Sequence, residues 1–176
     1  NGFGRIGKLV FRAFLEKQIK HVDIVAINEL GSLESSHHLL KFDSTHGQLP
    51  LEIKKTKNGL RYNNNNITFF SERNPEMLPW KKLKIDVVLE CSGVFASKEK
   101  SYGHIKSGAK KVIISAPAKN ADATIVQGVN NSILNKQHEI ISNGSCTTNC
   151  LAPVAMILEK NIGIESGFMT TIHSFT

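Results

Sequence analysis

Asn1-Gly2-Phe3-Gly4-Arg5-Ile6-Gly7 opens the chain, and its reading decides the fold. Gly2, Gly4 and Gly7 complete a G-x-G-x-x-G, and residues 8–17 continue with helical spacing, Ile6, Val10, Ala13 and Phe14 sharing one predicted face. Such a turn lets a pyrophosphate approach the backbone and rest on a helix N-terminus. Residues 22–27 read as the next strand, and Glu29 follows Gly7 by 22 positions. That is where a carboxylate accepting hydrogen bonds from a dinucleotide ribose belongs. A carboxylate there repels a 2′-phosphate, so NAD is expected in preference to NADP.

Further along, residues 85–90 and 111–115 are apolar runs suited to strands covered on both faces, and 97–107 is a crossover helix ending at Gly108. Residues 32–41 form another short helix. Between 51 and 71 the pattern changes: Leu51 and Ile53 alternate with polar residues, Asn58-Gly59 signals a hairpin, and Ile67 and Phe69 resume the alternation. An antiparallel excursion is expected there, with the polar tract 63–66 as a loop. The fold class is therefore α/β, a doubly wound parallel sheet of Rossmann type with an antiparallel excursion.

The chemistry is concentrated near the other end, in Ser142-Asn143-Gly144-Ser145-Cys146-Thr147-Thr148-Asn149-Cys150 and in His173. Residues 139–142 look like a buried strand end and Asn143-Gly144 like a turn. From Cys146 the pattern is helical, with Leu151, Val154, Ala155 and Leu158 on one stripe. A thiol at a helix N-terminus meets unpaired N–H groups and the positive end of the helix dipole, which favour the thiolate. Those N–H groups can also stabilise an oxyanion on an attacked carbonyl. His173 is the first histidine after Cys146 in sequence, and a Cys–His pair is a common way to activate sulfur. Pro153 breaks the helical rule, because it removes an N–H from the helix interior.

The 176 residues are 40% apolar and 21% charged, a globular composition. No apolar run approaches the roughly 18 residues of a membrane span, and no secretory signal is present. Cys91, Cys146 and Cys150 make no disulfide framework, and Cys146 with Cys150 lacks a second ligand pair, so no metal is expected. A reducing, cytoplasmic setting fits. The net charge of +7 is spread over dispersed lysines without an RNA-binding signature, so no specific nucleic-acid partner and no membrane is expected. Anionic sugar phosphates and dinucleotides would be weakly attracted.

Ser-Cys-Thr-Thr-Asn-Cys followed by His-x-x-Thr, together with the opening Asn-Gly-Phe-Gly-Arg-Ile-Gly, resembles the phosphorylating glyceraldehyde-3-phosphate dehydrogenase family. Ala26-Ile27-Asn28-Glu29, Phe42-Asp43-Ser44-Thr45-His46-Gly47, Glu90-Cys91-Ser92-Gly93, Ile114-Ser115-Ala116-Pro117 and Gly128-Val129-Asn130 carry the resemblance through the whole chain. It implies an NAD-dependent oxidative phosphorylation of glyceraldehyde 3-phosphate to 1,3-bisphosphoglycerate in glycolysis, through a hemithioacetal and a thioester on Cys146, with His173 as base. It also implies phosphate contacts at Ser145, Cys146, Thr147 and Thr176. Cofactor contacts are implied at Gly2, Gly4, Arg5, Ile6, Gly7, Glu29, Arg73, Ser92, Gly93 and Ser115. The domains expected are 1–145, an NAD-binding Rossmann domain lacking its first strand, and 146–176, the first helix and strand of a truncated α+β catalytic domain. The family's usual state implies a homotetramer for the full-length protein.

Two departures stand out: Glu29 where the family usually has Asp, and Gly144 where it usually has Ala. Ala26-Ile27-Asn28-Glu29-Leu30 and Leu78-Pro79-Trp80 lean toward erythrose-4-phosphate dehydrogenase, which hydrolyses the thioester. Thr176 and Ile114-Ser115-Ala116-Pro117 lean toward the phosphorylating enzyme. A non-catalytic dinucleotide- or RNA-binding module is the alternative of another class, and an intact Cys146, His173 and Thr176 set speaks against it. The chain reads as a piece of a longer reading frame, inactive and poorly soluble by itself because its sheet edges are apolar.

Overall fold

The computed structural model describes residues 1–173. In chain order the elements are α1 (Arg5–Glu16), β1 (Ala26–Asn28), α2 (Leu33–Lys41), the short pair β2 (Phe42–Asp43) and β3 (Gly47–Gln48), β4 (Ile53–Thr56), β5 (Gly59–Tyr62) and β6 (Asn65–Phe70). They are followed by β7 (Val87–Glu90), α3 (Lys98–Lys106), β8 (Lys111–Ile114), β9 (Ala123–Thr124), β10 (Ile140–Ser142) and α4 (Cys146–Ile162).

The strands form two four-stranded sheets in the orders β1-β6-β5-β4 and β7-β8-β10-β9. In the first, β4, β5 and β6 make the expected antiparallel excursion, and β6 returns parallel to β1 with Ala26 opposite Thr68. The second sheet is parallel throughout, and α3 supplies the crossover from β7 to β8. Ser97 caps α3 by accepting from Lys100 N–H, as Ser32 caps α2 by accepting from Ser35 N–H. The sheets meet at the first two residues: Cys91 N–H donates to Asn1 O at 2.8 Å and Gly2 N–H to Asn28 O at 2.9 Å.

Each sheet has its own core. Phe3, Phe11, Leu15, Leu40, Leu49, Leu60 and Ile67 fill the first, while Leu78, Trp80, Val88, Val112, Ile114 and Ile140 fill the second.

Several sequence expectations need correction. Helix α1 buries Phe11 and Leu15, while Ile6, Val10 and Ala13 of the expected face are exposed. Full burial of a Phe or Leu side chain contributes about 1.5–3 kcal/mol. The stripe that meets Phe3 and Leu40 therefore sets the helix's orientation. The strand expected over 22–27 shrinks to β1, and Val22 is exposed. Strand β7 alternates rather than being covered on both faces: Val88 and Glu90 are buried, Val87 and Leu89 exposed. Asn65 and Asn66 belong to β6, paired with Tyr62 and Arg61, which confines the loop to Asn63 and Asn64. Residues 163–173 are exposed and carry no strand. The Leu151, Val154 and Leu158 stripe of α4 is exposed as well; the helix runs unbroken past Pro153 and buries none of its residues.

Candidate active site

Parallel topology gathers the chemistry at one edge. Glu29 directly follows β1, Arg73 lies just beyond β6, Ser92 and Gly93 follow β7, Ser115 follows β8, and Cys146 follows β10 after a three-residue turn. All of them leave the carboxyl ends of parallel strands, where open α/β sheets bind their ligands.

Gly2 and Ser92 touch backbone to backbone. Gly2 has φ +82°, and a Cβ on it would stand 2.4 Å from Ser92 N, so only glycine serves there. Gly4 caps α1 without a side chain, leaving the first-turn N–H groups uncapped, and a Cβ on it would meet nothing within 4 Å. Open space beside an uncapped helix N-terminus suits an anion. Glu29 closes the other side of the turn: its Oε2 accepts the Phe3 N–H at 2.5 Å and its Oε1 the Gly31 N–H at 3.0 Å. Burial pushes the Glu29 carboxyl up, but the N–H groups of Gly31, Phe3 and Leu30 and the charge of Lys8 outweigh it, and the group stays ionised below its ordinary value. An anchored, ionised carboxylate beside an open glycine turn fits the ribose and pyrophosphate of NAD.

Arg5 pairs its guanidinium with Asp43, with Nη1 2.5 Å from Oδ2. Asp43 also accepts the N–H groups of His46 and Thr45, and its carboxyl falls to about 2, through the His46 N–H first, then Thr45 and Arg5 against the opposing effect of desolvation. Arg12 secures the same turn from below. It is 3% exposed, and its guanidinium donates to Gly47 O at 3.0 and 3.1 Å. The sequence reading assigned Arg12 no role, since it lies outside the apolar face expected for this helix. Ile6 and Arg73 are exposed at the rim of the site. Ser115 N–H donates to Glu90 O, and its side chain bonds Cys91, whose thiol burial pushes up.

Local sequence builds the nucleophile's turn, and one distant residue completes its surroundings. Strand β10 is buried at all three positions, Gly144 turns the chain with φ +68°, and α4 begins at Cys146. Ser145 is the N-cap, its Oγ accepting the Thr148 N–H at 2.9 Å and lying 2.7 Å from Thr148 Oγ1. Cys146 is exposed, and its Sγ lies 3.0 Å from His173 Nε2. That imidazole, more than any other group, draws the thiol below its ordinary range; the side chain and N–H of Thr147 add to it, against a smaller opposing effect of desolvation. The sulfur is thus accessible, ionisable and paired with a base, as nucleophilic catalysis requires. The Thr147 hydroxyl lies against the sulfur, and Ser145 Oγ serves the cap as an acceptor, a role that does not use its own proton. Thr176 lies outside the described residues.

Comparison with known proteins agrees with this geometry. Residues 1–98 match the family described as glyceraldehyde 3-phosphate dehydrogenase, NAD binding domain, and residues 145–176 match its C-terminal domain. Over the whole chain it is 49% identical to a protein named glyceraldehyde-3-phosphate dehydrogenase from Xanthobacter flavus, covering 52% of that protein. It is 49% identical to glyceraldehyde-3-phosphate dehydrogenase 2 of Bacillus subtilis and 47% identical to the glyceraldehyde-3-phosphate dehydrogenase of Thermotoga maritima, covering 52% and 53% of them. The chain spans about half the length of the curated relatives it matches. Since the NAD-binding match takes in more than half of its residues and coincides with the glycine turn and Glu29, this chain belongs to the glyceraldehyde-3-phosphate dehydrogenase family, and the cofactor its first domain is built for is NAD.

Proposed function

We propose that the full-length protein is a phosphorylating, NAD-dependent glyceraldehyde-3-phosphate dehydrogenase. The observation that carries this reading is the 3.0 Å approach of Cys146 Sγ to His173 Nε2 at the N-terminus of α4, on the strand edge that also holds the glycine turn. His173 takes the Cys146 proton, and the thiolate adds to the aldehyde carbon. The His173 imidazolium returns that proton to the carbonyl oxygen, giving a hemithioacetal, while N–H groups of the first turn of α4 steady the developing oxyanion. His173 then removes that hydroxyl proton as the carbon gives up its hydride. Bound NAD supplies the hydride acceptor. Inorganic phosphate attacks the resulting Cys146 thioester, the carbon–sulfur bond breaks, an acyl phosphate leaves and the thiolate is restored.

In this reading Ser145, Thr147 and Thr176 hold phosphate groups by hydroxyl donation. Residues 1–145 form the cofactor domain and 146–176 the start of the catalytic one. Assembly as a homotetramer in the cytoplasm, with no specific nucleic-acid partner, belongs to the same proposal.

The test is an assay of the full-length protein with glyceraldehyde 3-phosphate and erythrose 4-phosphate, each with and without phosphate. Phosphate-dependent turnover of the three-carbon aldehyde is expected. Faster, phosphate-independent turnover of the four-carbon aldehyde would replace the reading with erythrose-4-phosphate dehydrogenase. A Cys146 that iodoacetamide labels no faster than Cys91 would point to a non-catalytic dinucleotide-binding module. His173→Asn is expected to slow both alkylation at neutral pH and turnover, the latter by about 10²–10⁴-fold.

A further inference from the structure

A buried polar chain lies behind the cofactor turns and takes no part in the steps above. Trp80, His104 and Glu90 are 3%, 0% and 1% exposed. Trp80 Nε1 donates to His104 Nδ1 at 3.0 Å, and His104 Nε2 stands 3.0 Å from Glu90 Oε2. An indole N–H is a donor only, so Nδ1 is the acceptor, the ring is neutral, and its one proton lies on Nε2 and is given to Glu90.

Glu90 distributes that support. Its Oε1 accepts both the N–H and the hydroxyl of Ser92, and its Oε2 accepts Asn1 Nδ2 beside His104. Burial pushes the Glu90 carboxyl up, and the hydrogen bonds from His104, Ser92 and Asn1 outweigh it and keep it ionised. Asn1 Oδ1 accepts Asn28 Nδ2 at 2.7 Å, and Asn28 holds both backbone groups of Glu72, donating to its O at 2.9 Å and accepting its N–H at 2.8 Å. The chain thereby reaches three turns on the cofactor edge: the glycine turn through Asn1, the turn of Glu72 and Arg73, and the turn of Ser92 and Gly93.

We propose that Trp80, His104, Glu90, Asn1 and Asn28 form a positioning chain for NAD that holds these three turns at a fixed spacing, so that the cradle exists before the dinucleotide arrives. The inference rests on the reading of the protein as an NAD-dependent dehydrogenase. Its physical basis is that a loop ordered in advance spends no binding energy on its own ordering. A fully satisfied buried network is rigid, and losing one member leaves others unpaired.

The test uses the full-length protein, with NAD affinity from calorimetric titration, KM for NAD and kcat from the dehydrogenase assay, and folding from thermal melts. Glu90→Gln and His104→Leu are expected to raise Kd and KM for NAD about tenfold, with kcat at saturating NAD changed by less than about twofold. His104→Gln supplies an amide oxygen for Trp80 and an amide N–H for Glu90, and is expected to restore affinity. Trp80→Phe removes the N–H that selects the tautomer while keeping an aromatic ring, and is expected to weaken NAD by about threefold. It decides the matter if the first two variants do not fold. Variants that melt lower yet bind NAD as tightly as the parent would show a role in stability alone and overturn the inference, while leaving the dehydrogenase reading intact. A parent that binds no NAD would overturn that reading and this inference with it.

Discussion

The two ends of the proposed reaction centre are built on opposite plans. The cofactor turns of the first domain are held by long-range bonds, such as Asn1 to Glu90 and Asn28 to Glu72, between strands that each pack on a filled core. Helix α4 buries none of its residues and draws most of its chemistry from its own cap: Ser145 closes the first turn and Cys146 meets the dipole, with one longer-range partner, His173, 27 residues on. A nucleophile's ionisation can thus be prepared by one helix terminus and one neighbour. A surface for an extended dinucleotide needs several turns kept in register by the fold.

Breaking each plan separately sharpens the contrast. The largest effect is expected for Cys146→Ala, which removes the nucleophile. Turnover of the full-length protein should fall at least about 10³-fold, while thermal melting and NAD affinity stay near parental values because the side chain is exposed. A folded variant that keeps a tenth of its activity would sink the covalent mechanism. On the other side, Glu29→Gln leaves the turn's acceptor in place but removes its charge. NAD binding is expected to weaken by about tenfold, with discrimination against NADP narrowing and Cys146 alkylation unaltered. Parallel titrations with the two dinucleotides check this.

A smaller effect is expected where the long-range plan is structural only. Asp122 Oδ2 accepts the N–H groups of Glu139 and Ile140 at 2.8 and 2.9 Å, and Oδ1 pairs with Lys98. Burial opposes its ionisation, but the Ile140 N–H, Lys98 and the Glu139 N–H bring the carboxyl to about 2 from a usual 3.8. A depressed folded-state value contributes stability above about pH 4, and that contribution disappears as pH falls through 2. Asp122→Asn should cost about 1–3 kcal/mol at neutral pH and flatten the acid limb of the stability curve between pH 4 and 2, measured by urea unfolding. The smallest change is expected for Gly144→Ala. Its Cβ would find ordinary contacts at 3.6 Å from Thr148, but φ +68° strains it by about 1 kcal/mol. A destabilisation above 3 kcal/mol would mean that the turn before Cys146 depends on more than its local geometry.

How much of this was legible beforehand follows the same division. The glycine turn, helix α2, the hairpin at Asn58-Gly59 and the placement of Cys146 at a helix start all depend on neighbours a few residues apart, and each was readable. The buried face of α1 was misread, because two apolar stripes compete on that helix and only contact with Phe3 and Leu40 chooses between them. Glu90 could have been noticed as a charged residue closing an apolar strand, which signals a buried partner, but nothing local says that the partner is His104, fourteen residues on.

From its sequence alone, this protein's family, its NAD-type glycine turn and its candidate nucleophile and base could be read, because they depend on residue identity and short spacing. Tertiary structure alone decided which carboxylates are buried and satisfied, which helix faces meet a core, and that the imidazole of His173 comes within 3.0 Å of the sulfur. Burial and long-range hydrogen bonds depend on which distant segments meet, and that is a property of the whole fold.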